Sequence, residues 1–125
     1  MWFKLIGLAV AGACGTLARY GLAGLIQRGD HSGFPWGTLA VNVLGCFIFG
    51  LVWTLAQERL LFSAETRVII LTGFLGSFTT FSAFLFETEQ MIEQTQLLMA
   101  SANLFGELAV GLGAYLLGAF LGRLA

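Results

Sequence analysis

Apolar residues run along this chain in four long stretches, each separated from the next by a short polar segment. A bilayer's hydrocarbon core is about 30 Å thick and takes about 20 mostly apolar residues per crossing helix. On that measure the pattern predicts membrane helices at about Trp2 to Gln27, Phe34 to Gln57, Val68 to Gln90 and Leu97 to Leu124. The breaks are Arg28-Gly29-Asp30-His31-Ser32-Gly33, the segment from Glu58-Arg59 through Glu65-Thr66-Arg67, and an acidic, amide-rich stretch from Glu89 to Gln96. None could hold a soluble domain, so residues 1–125 are expected to form a single membrane domain. The first stretch is too long for a cleaved leader, and Arg19 interrupts it where a small-residue cleavage site belongs, so it is read as part of the mature protein.

The third stretch departs from a plain lipid helix. Gly73-Phe74-Leu75-Gly76-Ser77-Phe78-Thr79-Thr80-Phe81-Ser82-Ala83-Phe84 sets glycines and hydroxyls among phenylalanines. Such a mixture lets backbone leave the helical path, and freed carbonyls at membrane depth are tolerated only where protein, ions or water satisfy them. A break near residues 76–80 is therefore expected, and an interrupted span is a candidate ion or substrate site.

Composition agrees with the membrane assignment, with 58% hydrophobic residues, 10% charged residues and a single proline. Small residues recur four apart, Ala11 with Gly15 and Ala114 with Gly118 and Gly122, which puts each set on one helix face for close packing within a subunit or between subunits. A chain this short encloses little cavity alone, so oligomerisation is expected.

Enzymatic chemistry is scarce. His31 stands alone beside Asp30 in a predicted loop, where a solvated histidine is the expectation. Cys14 and Cys46 lie in separate apolar spans without metal-ligand spacing and read as small buried hydrophobes. The glycines fall inside membrane spans with no lysine following, which excludes a phosphate-binding loop. The chain is not expected to be an enzyme, and with a net charge of −1 no nucleic-acid partner is expected.

What remains is polar groups at membrane depth, which are costly there and mark function by default. Arg19 lies well inside the first span and either snorkels to the interface or makes an electropositive vestibule for anions. Asn42 shares a face with Thr38 and either bonds helix to helix or offers its amide hydrogens to an anion. Phe81 and Phe84 are three apart after the break. They are core or lipid-facing rings, or they aim electropositive edges at a small desolvated anion.

Together these segments carry a resemblance. Gly33-Phe34-Pro35-Trp36-Gly37-Thr38-Leu39-Ala40-Val41-Asn42, the Gly73 to Phe84 segment, and Arg19 within Gly15-Thr16-Leu17-Ala18-Arg19-Tyr20 resemble, in order, the signature of the Fluc-type (CrcB-like) fluoride channels. The resemblance implies an all-α membrane protein of the inner (plasma) membrane. Its fold would have four transmembrane helices per subunit, the third interrupted, in an antiparallel dual-topology homodimer that exports cytoplasmic fluoride passively. It further implies a fluoride pathway through Arg19, Thr38, Asn42, Phe81, Ser82, Phe84, Glu87, Asn103 and Glu107, and a structural sodium ion at the dimer centre on backbone carbonyls of Gly76 and Thr79.

Two positions depart from that pattern. Ser77 stands where a second glycine is common, and Glu107 where a serine or threonine is expected. An ionised carboxylate would repel the conducted anion, so Glu107 either holds a proton or turns toward a donor.

The competing classes are a proton-coupled exporter of the small multidrug kind and a non-transporting subunit of a larger complex. The exporter needs a carboxylate at the centre of the first helix, where this chain has Arg19 and no acid. Orientation pulls against the resemblance. Lys4, Arg59, Arg67 and Arg123 fall on one side against Arg28 and Arg19 on the other, which by the positive-inside rule favours one orientation. Dual topology is expected nonetheless, since Glu58 and Glu65 lie beside two of those basic residues and the central break suits two copies facing across a two-fold axis.

Overall fold

The computed structural model describes residues 2–58 and 60–125, which leaves Met1 and Arg59 outside the described residues. The order is α1 (Trp2–Gln27), α2 (Trp36–Glu58), α3 (Ala64–Val68), a π-helical segment (Ile69–Leu75), α4 (Gly76–Phe78), α5 (Phe81–Glu93) and α6 (Leu97–Leu124), and every regular element among the described residues is helical. They make four spans long and apolar enough to cross a membrane, Trp2–Gln27, Trp36–Glu58, Ala64–Glu93 and Leu97–Leu124.

The joints follow local chemistry. Gly33 takes a positive φ of 79°, open to glycine at no steric cost, and Pro35 precedes α2 without wasting a backbone donor. Ser63 caps α3, its Oγ accepting the Thr66 N–H at 3.1 Å. Thr95 enters the left-handed region at φ 60°, and Gln96 N–H closes the end of α5 on the Met91 carbonyl at 2.8 Å. Between α4 and α5, Thr79 (φ −84°, ψ 159°) and Thr80 (φ −149°, ψ 112°) are extended.

Packing is of the membrane kind, with helices pressed backbone to backbone at glycine. A Cβ on Gly118 would strike the Phe47 carbonyl, one on Gly50 the Tyr115 carbonyl, and one on Gly15 the Phe74 carbonyl. Gly15, Gly118 and Gly122 thus serve contacts inside one subunit, α1 lying on the π-helical segment and α6 on α2. A small core of Val41, Leu71, Leu75 and Phe78 sits between α2 and the third span. Polar Thr38, Thr54, Thr88, Asn103 and Glu107 are buried while Phe3 and Leu98 are 86% and 84% exposed, the arrangement expected where the surroundings are lipid. Cys14 corrects an expectation: it is exposed on α1 rather than buried, because a thiol is apolar enough to face hydrocarbon. Cys46 is half-buried.

Candidate functional site

Asn42, on α2, grips the two extended residues of the third span. Its Oδ1 accepts the Thr80 N–H at 2.8 Å and its Nδ2 donates to the Thr80 carbonyl at 3.1 Å. In an unbroken helix the Thr80 N–H would close on the Gly76 carbonyl four residues back, so the side chain takes over what the helical ladder gives up. Thr79 stays tied to the turn before it, its N–H and its hydroxyl both donating to the Leu75 carbonyl at 3.0 Å. Thr80 Oγ1 then caps α5 by accepting the Ala83 N–H at 3.3 Å. One amide and two threonines therefore take up backbone groups around the two extended residues.

The same amide reaches α6. Asn42 Nδ2 lies 3.2 Å from each carboxylate oxygen of Glu107. The Glu107 carboxyl is thus turned toward a donor. Asn42, Phe81, Phe84 and Glu107, with Thr79, Thr80 and Tyr115, line a cavity of about 290 Å³. The Phe81 and Phe84 rings lie 5.7 Å apart at 52°, a tilted pair, but their settings differ: Phe84 is 3% exposed and Phe81 69%. Behind Phe84 runs a polar chain in which Asn103 Nδ2 donates to Thr88 Oγ1 at 2.9 Å and Thr88 Oγ1 donates to the Phe84 carbonyl at 2.8 Å. Asn103 is fully buried, and its Oδ1 has no partner among the described residues.

A second, larger groove of about 630 Å³ opens between α1, α2 and α5, lined by Arg19, Thr38, Thr80 and Glu87 among others. Thr38 Oγ1 donates to Glu87 Oε1 at 2.6 Å, while Glu87 Oε2 is buried without a partner among the described residues. At the rim Gln27 fastens the α1–α2 loop, its Nε2 donating to the Phe34 carbonyl at 2.9 Å and its Oε1 accepting the Gly37 N–H at 3.1 Å. Thr80 lines both spaces, so the Asn42–Thr80 contact stands between them.

Most residues singled out in the sequence thus meet in two adjoining spaces, but Ser82, Gly76 and Asn103 do not, Asn103 being buried behind Phe84. Ser82 and Gly76 are exposed, and neither lines the cavity or the groove. His31 lies in an exposed loop, and no cluster of metal-binding side chains occurs among the described residues. Sequence reading missed Thr80, Thr88 and Tyr115. For Thr88 a signal existed, since a hydroxyl and the Asn103 amide, both at membrane depth, each need a partner.

Comparison with known proteins gives a consistent result. Residues 6–119 match the family described as CrcB-like protein, Camphor Resistance (CrcB). The chain is 52% identical over 118 residues to a "Fluoride-specific ion channel FluC" of Nitrosococcus oceani, covering 94% of each chain. Proteins of the same name match at 48% identity over 124 residues in Desulforapulum autotrophicum, covering 99% of each, and at 50% over 121 residues in Solidesulfovibrio magneticus, covering 97% of each.

Proposed function

The chain belongs to the CrcB-like protein family, and from that premise we propose that it is a fluoride-selective channel of the plasma membrane, conducting through the space between Arg19 and the Phe81–Phe84 pair. It is a multi-pass membrane protein and not an enzyme. The observation that carries the reading is the meeting of α2, α5 and α6 at one cavity lined by an amide and two phenylalanine rings.

The mechanism follows from electrostatics. Fluoride is small and strongly hydrated, so it enters a pathway only where donors and ring edges replace its water. Arg19, whose guanidinium is a cation rich in N–H donors, gathers anions in the larger groove, where Thr38 holds Glu87 through its hydroxyl. At the inner cavity the Asn42 amide supplies the donor and the rings of Phe81 and Phe84 their positive edges. Asn103 positions Phe84 through Thr88. A passive pore suffices for export, since an interior-negative potential drives each anion outward by about 2.3 kcal/mol per 100 mV.

The working unit in this reading is an antiparallel homodimer with the third span interrupted at Thr79–Thr80. The extended dihedrals there support the interruption, and the 69% exposure of Phe81 in a single subunit supports a second copy against it. A sodium ion fits the same place. The Gly76 carbonyl lies on an exposed surface and has lost the Thr80 N–H to Asn42, and Thr79 is extended, so Gly76 and Thr79 would hold the ion through carbonyl oxygens, the donor type that hard cations take. The ion would fasten the two copies. The basic residues that argue for one orientation are partly engaged: Arg123 pairs with Glu58 at 3.4 Å and Arg67 lies 5.5 Å over the Trp53 ring.

Growth tests the proposal. Expression in bacteria lacking their own fluoride efflux should restore growth in fluoride medium, and Phe81→Ile should abolish that rescue. Equal growth with empty vector and wild type, at confirmed membrane expression, would refute it.

A further inference from the structure

Glu107 is set against the amide donor that lines the inner cavity. The Asn42 amide has two hydrogens. Its nitrogen donates to the Thr80 carbonyl at 3.1 Å and to the Glu107 oxygens, each 3.2 Å away, while its oxygen takes the Thr80 N–H at 2.8 Å. The amide is fully used within the protein. Freeing its nitrogen at Thr80 would undo the backbone joint, whereas freeing it at Glu107 requires only that a side chain turn on its own torsions. The cavity of about 290 Å³ leaves room for that turn. None of the residues lining the cavity is cationic, and the other titratable side chains facing it are Cys46 from α2 and Tyr115 from α6. Arg19, with Glu87, belongs to the other groove, so no lining cation holds the carboxylate in place. A carboxylate oxygen and fluoride are both compact anionic acceptors, and both suit the same amide and the same ring edges.

We propose, building on the channel reading above, that Glu107 is a tethered internal anion, whose carboxylate occupies the Asn42 amide between conduction events and must turn away before fluoride binds there. It therefore sets the pore's apparent affinity for fluoride, acting as a competitor at fixed local concentration. No covalent step is involved. The carboxylate and the ion exchange places on one donor.

The test is fluoride efflux from proteoliposomes as a function of fluoride concentration, for wild type, Glu107→Gln and Glu107→Ser. Loss of a charge-assisted competitor should lower the half-saturating fluoride concentration about tenfold in Glu107→Ser, and less in Glu107→Gln, whose neutral oxygen still accepts from Asn42 but more weakly. A merely structural glutamate would instead reduce dimer yield or maximal flux and leave half-saturation unmoved. Unmoved or raised half-saturation in assembled variants, with wild type conducting, overturns the tethered-anion proposal and leaves the channel reading standing. Should Glu107→Ser not assemble, the isosteric Glu107→Gln decides alone by the same criterion. If wild type and both assembled variants pass no fluoride, the channel reading fails and this proposal with it.

Discussion

Replacing Asn42 by aspartate changes one atom group at the joint between three helices. An aspartate there could still accept the Thr80 N–H, which the Asn42 Oδ1 takes at 2.8 Å, but it could not donate to the Thr80 carbonyl or to Glu107. The lost neutral bond costs about 1 kcal/mol and the lost charge-assisted one about 2 kcal/mol. A second carboxylate then faces the first in a buried setting, and two charges about 4 Å apart at an effective dielectric of about 20 repel by about 4 kcal/mol. The sum, about 7 kcal/mol, is of the order of a whole domain's stability, about 5–15 kcal/mol. Asn42→Asp should therefore lower the yield of assembled protein sharply and bring fluoride flux at neutral pH close to zero. Adding Glu107→Gln removes the repulsion, so the double variant should regain most of the assembled yield. Its flux should stay low, because a carboxylate now stands where the pathway needs a donor. Size-exclusion profiles and liposome efflux for the four proteins of this cycle make the check. Wild-type flux in Asn42→Asp would remove Asn42 from the pathway, and a yield that Glu107→Gln does not improve would show that the Asn42–Glu107 contact does not carry the cost.

Phe81→Ile and Phe84→Ile should each cut fluoride flux at least tenfold while the dimer persists, because isoleucine keeps bulk but has no electropositive edge; Phe84→Ile should also lower thermal stability by about 1 kcal/mol, since Phe84 is the buried member of the pair. Replacing sodium with a large organic cation should lower the dimer's thermal stability reversibly, whereas a melting temperature indifferent to sodium would remove the ion from Gly76 and Thr79. Cysteines placed at Ser32 and Ser63, in a background lacking Cys14 and Cys46, should each react partly with an impermeant reagent applied outside intact cells. Labelling at one site only would mean a single orientation and would sink the antiparallel dimer.

The four spans were legible because lipid exposure demands apolar residues on every outward face, and such runs stand out whatever the tertiary contacts. The rings of Phe81 and Phe84 could be placed together from their spacing of three, yet not their unequal burial, which depends on where α5 lies against α2 and α6. Asn42 was visible as a costly amide, but its partner Thr80 is 38 residues away and engages through backbone, which no side-chain pattern reports. Glu107 and Asn103 share a helix face at a spacing of four, which reads as one polar track. In space they part, Asn103 to Thr88 on α5 and Glu107 to Asn42 on α2, because α6 packs against both elements. Ser82 follows Phe81 in the motif but does not line the cavity, since adjacent residues on a helix face different ways. Cys14 was misread because burial rules for soluble proteins invert where the surroundings are hydrocarbon.

The central claim is uncoupled fluoride conduction, and the direct measurement is efflux from liposomes holding the purified protein, followed with a fluoride electrode while a potassium ionophore sets the membrane potential. Fluoride should leave rapidly once the ionophore is added, at a rate that follows the imposed voltage, needs no proton gradient, and far exceeds chloride efflux under the same conditions. Fluoride retained as in protein-free liposomes, or transport appearing only with a proton gradient and a cationic substrate, would contradict the account.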